Sequence, residues 1–178
     1  MENKDWHEAF YAALRLLLNA EEGSFKFDTE HRLNQRSLKI DIAVIKADKK
    51  FKTKNAIGKI FRRYNLFEYK SPRDRLDIDV LFKSIAYASL FKAYGRCVDD
   101  IKVEEISLSI YREVPPGKLF RQLRSMGYGV DNKYPGIYYL RGMSPFPTQI
   151  IVGRELPEEG NVWLKYLRAG IAKEDVKR

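Results

Sequence analysis

Leu38-Lys39-Ile40-Asp41-Ile42-Ala43-Val44-Ile45 and, further on, Asn65-Leu66-Phe67-Glu68-Tyr69-Lys70 decide how this chain is read. In the first stretch Ile40, Ile42 and Val44 alternate with Lys39, Asp41 and Ala43. That period of two belongs to a β-strand and sets Asp41 on the opposite face from Ile40 and Ile42. In the second, Glu68 and Lys70 share one face while Phe67 and Tyr69 share the other. An acid on one strand, with an acid and a lysine on the next, makes Asp41, Glu68 and Lys70 the candidate site.

The segment joining the two stretches is strongly basic. Lys46, Lys49, Lys50, Lys52, Lys54, Lys59, Arg62 and Arg63 stand against Asp48 alone, so this segment holds seven of the chain's nine net positive charges. Such a segment raises the local concentration of a polyanion such as nucleic acid, or else serves as a solvated surface. With 44% hydrophobic against 32% charged residues, the 178-residue chain reads as one folded domain and not as a disordered one. No apolar run approaches the roughly 20 residues of a membrane span, and the polar, acidic start Met1-Glu2-Asn3-Lys4-Asp5 is unlike a signal peptide. A cytoplasmic protein with no membrane partner is expected. A single cysteine, Cys97, excludes an internal disulfide, and with only His7 and His31 there is no zinc-type ligand cluster. A metal ion here would be held by oxygen.

Outward from the two strands the elements follow in order. Asp5 to Ala20 carries Phe10, Leu14, Leu17 and Leu18 on one helical face, with Asp5 as N-cap and Glu8 in the first turns. Ser24 to Leu33 reads as a first strand, with His31 near its end, and a turn over Asn34 to Ser37 precedes the second. Ser71-Pro72 stops the third strand, Asp77 or Asp79 starts a helix running to about Tyr94, and Gly95 closes it. Ile106, Leu108 and Ile110 alternate in a fourth strand, Glu104 to Arg112, whose place after a helix is parallel to an earlier one. The expected fold is α/β, an αβββαβ core with a mixed sheet flanked by helices. Residues 113–178 extend it with a helix over Lys118 to Met126, whose Lys118, Arg121 and Arg124 form a basic face, and a hairpin over Gly136 to Leu140 and Gln149 to Val152. A final helix containing Trp163, Leu164 and Leu167 is expected after a cap at Asn161. The chain ends without a helix stop, as a piece of a longer protein would.

Over residues 5–112 this order, with Asp41 and Glu68-Tyr69-Lys70 in it, resembles the PD-(D/E)XK nuclease superfamily, whose members share a restriction-endonuclease-like core. The run from Ile57 to Pro72 is similar to uncharacterised bacterial members. The resemblance implies a phosphodiester hydrolase with Asp41, Glu68 and Lys70 as catalytic residues and DNA as the partner. Mg²⁺ or Mn²⁺, ions that favour oxygen, would be held by Asp41, Glu68 and the backbone carbonyl of Tyr69, with Glu8 as a candidate further ligand. Lys70 would orient the attacking water and stabilise the charge that develops. Lys83 and Tyr87, on one face of the second helix, match a supporting Gln and Tyr pair of the exonuclease branch, with Lys83 departing from the Gln. Lys49, Lys50, Lys52, Lys54, Lys59, Arg62 and Arg63 would contact the nucleic acid, and a homodimer would let two sites cut both strands. Two other readings stay open: an inactive nuclease-like module that grips nucleic acid without cutting it, and an interaction domain whose charge only keeps it soluble.

Overall fold

The computed structural model describes residues 4–19, 25–28, 42–47 and 53–167, with side chains for 9–18, 45–47 and 53–167. Among the described residues the α-helices and strands run in the order α1 (Lys4–Asn19), β1 (Phe25–Asp28), β2 (Ile42–Ala47), β3 (Tyr64–Lys70), α2 (Ile78–Ala93), β4 (Ile106–Arg112), α3 (Gly117–Ser125), β5 (Gly129–Tyr134), β6 (Ile137–Arg141), β7 (Thr148–Val152) and α4 (Val162–Lys165). The strands form one sheet in the order β1-β2-β3-β4-β7-β6-β5. β1, β2 and β3 are antiparallel neighbours, β4 is parallel to β3, and β7 is parallel to β4. β6 and β5 continue antiparallel to the far edge. The expected α/β architecture, a mixed sheet flanked by helices with αβββαβ leading, is present.

β3 and β4 are buried along nearly their whole length, as strands covered on both faces must be. Leu66, Leu108, Ile110 and Ile150 pack with Leu81, Tyr87, Ala88 and Phe91 of α2 and with Leu119, Phe120 and Leu123 of α3. On the other face Ile45, Phe67, Tyr69, Tyr111 and Ile151 pack with Phe10, Leu14 and Leu18 of α1 and with Leu164 of α4. Phe10 sits 4.8 Å from the Tyr69 ring and 5.3 Å from that of Tyr111, so one residue ties α1 to both central strands. α2 starts where the sequence places it, because Asp77 accepts a hydrogen bond from the Val80 N–H at 3.1 Å.

Polar groups inside the sheet are used to hold the connection that precedes β3. The fully buried Asn65 side chain donates to the carbonyls of Ile45 (3.0 Å) and Arg62 (2.7 Å), and accepts from the Arg62 N–H (2.6 Å) and the Ser107 hydroxyl (2.7 Å). Those four bonds fill the side chain's capacity. Gln149 on β7 donates to Ser109 and to the Ile57 carbonyl, both at 2.9 Å, fixing a 3-10 turn (Ala56–Ile60) against the same face.

Several boundaries differ from the sequence expectation. Asp5 lies inside α1 and is not its cap. Asn161 precedes α4 without capping it: its amide donates to the Pro157 and Glu159 carbonyls, and its carbonyl oxygen accepts from Asn55. α4 is four residues long and ends before Leu167. The C-terminal segment supplies three strands where two were expected, since β5, an edge strand in which only Val130 is buried, carries no alternation to reveal it. Gly136, at φ +73° in the β5–β6 turn, has backbone atoms of Val152, Glu155 and Leu156 within 3 Å of where a Cβ would sit, so no other residue fits there. The expected turn over Asn34 to Ser37, His31 and the charged tail from Lys173 lie outside the described residues.

Replacing Asn65 by Ala strands two carbonyls, an N–H and a hydroxyl in the interior. It should cost about 3 kcal/mol, the penalty of leaving buried polar groups unmet, read as a lowered urea midpoint with an unchanged slope.

Candidate functional site at the carboxyl end of the central strands

β3 carries Glu68 and Lys70 on the face covered by α2 and α3, the parity of Leu66, while Phe67 and Tyr69 face α1. The Lys70 ammonium pairs with a Glu68 carboxylate oxygen. Glu68's side chain is only 7% exposed and that of Lys70 18%, so the pair is shielded from water and sits where charges interact strongly. The triplet Glu68-Tyr69-Lys70 therefore forms the acid and ammonium pair that its alternation predicts.

Asp41 lies outside the described residues. The β2–β3 register sets Ile42 directly across from Glu68. Glu8 belongs to α1, but its side chain is outside the described set. Among the described residues no group of three or more acidic, histidine or cysteine side chains converges. Of the expected metal ligands, the carboxylate of Glu68 and the carbonyl of Tyr69 are the described oxygens, suited to a hard divalent ion and needing at least one further acid.

The parallel register adds a residue that the sequence reading passed over. Arg112, the last residue of β4, is the ladder neighbour of Lys70 and points to the same face. Its position after Ile106, Leu108 and Ile110 in the same alternation was the signal for it. On the α1 face, Glu113 is buried and bonds through one carboxylate oxygen to both Nε (2.9 Å) and an Nη (2.8 Å) of Arg154. Burial pushes the Tyr69 phenol above its ordinary pKa, and the carboxylates of Asp74 and Glu113 add to the shift. Tyr111 is raised in the same way, chiefly by burial, and its hydroxyl donates to the Leu164 carbonyl at 2.5 Å.

Arg62 and Arg63 stand just before the other end of β3. Arg63 precedes Lys70 by seven positions, about 23 Å at the rise of an extended strand. Lys54, Lys59 and Arg62 are exposed. Arg62 donates to the carbonyls of Ile60 and Phe61, and Arg63 pairs with Glu105 at 3.1 Å and lies over the Tyr64 ring. The Glu105 carboxylate also raises the Arg63 pKa by accepting its hydrogen bond. Lys49, Lys50 and Lys52 lie outside the described residues. On α2, Lys83 is exposed with its ammonium 5.4 Å from the ring of Tyr87, and Tyr87 is a core aromatic packed on the sheet. On α3, Lys118, Arg121 and Arg124 are exposed, and Arg124 reaches the Val130 carbonyl at 3.4 Å. No described helix is long and apolar enough to cross a membrane. No family model, curated protein or solved structure matches the chain.

Two outcomes test this geometry. Glu68→Gln leaves two neighbouring cations on one face and should cost about 3 kcal/mol, as breaking a buried pair does. Adding Lys70→Met should restore most of that loss in a double-mutant cycle of denaturant unfolding. Because Tyr69 and Tyr111 hold their protons more tightly folded than unfolded, their contribution is whole below about pH 10 and declines as pH rises beyond it. Unfolding at pH 8 and pH 11 should show this loss, smaller in Tyr69→Phe.

Proposed function

We propose that this protein is a metal-dependent phosphodiester hydrolase of the restriction-endonuclease-like type, acting on DNA. The observation that carries the reading is the Glu68–Lys70 ion pair at the carboxyl end of β3. Its setting supports the reading too: β3 is the third strand of an αβββαβ unit whose sheet order runs β1-β2-β3-β4 with β4 parallel to β3.

Each described residue has work that suits that reaction. Glu68 offers a shielded carboxylate oxygen for a hard divalent ion, and Asp41 or Glu8 would supply the further acid. A bound Mg²⁺ or Mn²⁺ would offset charge at the phosphorus and lower the pKa of a coordinated water. Lys70, held by Glu68, keeps its ammonium at the strand end, where it orients the attacking water and meets the negative charge that develops on the phosphoryl oxygens. Attack in line with the leaving oxygen gives a 5′-phosphate and a 3′-hydroxyl. A second reading, a module that binds nucleic acid without cutting it, draws on the register that sets Ile42 across from Glu68. Under that reading the cations hold phosphates and no ion is recruited.

Incubation with single-stranded, double-stranded and branched DNA and with RNA separates the two. Cleavage should occur with Mg²⁺ or Mn²⁺, stop with chelator, and fall at least about 10²-fold in Lys70→Ala with binding largely kept. Asp41→Asn should weaken metal affinity as well as rate. Salt-sensitive binding with no cleavage under any of these conditions would leave the binding module.

A further inference from the structure

Among the described residues, no carboxylate pairs with the Arg112 guanidinium. Its Nε is buried and has no hydrogen-bond partner, and among the described residues it makes no ion pair and no side-chain hydrogen bond. Lys70, its neighbour across the parallel ladder, brings a second cation to the same face at the strand spacing of about 4.8 Å. The only carboxylate among the residues that share that face at this end of β3 and β4 is Glu68, and it is engaged by Lys70. A buried, unmet donor on a cation ordinarily marks an ion or ligand that belongs there.

We infer that Arg112 and Lys70 form a seat for a tetrahedral oxyanion, the phosphate group of a nucleic acid or of a free phosphate. The planar guanidinium offers donors in a fixed fork that matches two oxygens of one phosphate, and the ammonium supplies a point charge from the adjacent strand. In the role of holding the scissile phosphate against Glu68 the seat rests on the hydrolase reading; as an oxyanion site it stands without it. It also places the phosphate contact at the carboxyl end of β3 and β4, away from Arg62 and Arg63.

The test is calorimetric titration, without divalent ions and at constant ionic strength, of inorganic phosphate and of a short oligodeoxynucleotide into the parent, Arg112→Gln, Arg112→Lys and Lys133→Gln proteins. Thermal unfolding would confirm that each variant is folded. The parent should bind phosphate, Arg112→Gln should lose roughly ten-fold or more, the scale of a charge-assisted bond, Arg112→Lys should fall between, and Lys133→Gln, at an exposed cation on the far edge strand, should match the parent. Parallel loss of oligonucleotide affinity assigns the seat to phosphodiesters, and loss confined to inorganic phosphate assigns it to free or terminal phosphate. A parent that binds neither ligand, or an Arg112→Gln protein that binds both as the parent does, overturns the seat. Cleavage measured separately with Mn²⁺ keeps the two ideas apart. Arg112-dependent binding with no cutting would sink the hydrolase alone, whereas cutting with an unchanged KM in Arg112→Gln would sink the seat alone.

Discussion

Parallel pairing of β3 with β4 determines which chemical groups meet at the working end of this protein. It sets Glu68 beside Ile110 and Lys70 beside Arg112, and it brings the first residues of α2 and α3 to the same edge, since each helix follows directly from one of these strands. A parallel pair needs a crossover, and α2 supplies it while covering the face on which Glu68 lies. The helix that makes the topology possible is thus also the wall that keeps water from the carboxylate.

The two faces of the sheet divide the labour. The α2 and α3 face is apolar along its middle and carries charged groups at both ends, Lys46 and Arg63 over Tyr64 at one and Glu68 and Lys70 at the other. The α1 face holds the buried polar residues Asn65, Ser107, Ser109 and Gln149, each bonded to a neighbour. These bonds specify the path of the chain into β3 and have no part in the chemistry. Glu113 and Arg154 close the same face at its other end, joining β4 to the segment that follows β7.

Much of the fold was legible in the sequence because its central strands are regular. Ile106, Leu108 and Ile110 gave β4, the alternation around Glu68 gave β3, and Asp77 gave the start of α2. What was not legible depended on contacts between distant segments. β5 is polar because it lies at an edge, so no pattern distinguishes it from a loop. Asn161 has the composition of a cap, yet its amide is spent on nearby carbonyls and on Asn55. In the site, Glu68 and Lys70 follow from period two alone. Arg112 required knowledge of which strand lies next to β3, and basic composition could not tell that Arg62 and Arg63 occupy the opposite end.

The bonds around Asn65 carry an evolutionary consequence. The Ala47 N–H bonds the Arg63 carbonyl at 2.9 Å, and Asn55 is tied to Gly160 and Asn161, so the chain is anchored where it leaves β2 and again before it enters β3. Substitutions that spare these tethers should therefore be inherited without shifting the alignment of Glu68, Lys70 and Arg112, which the paired strands set.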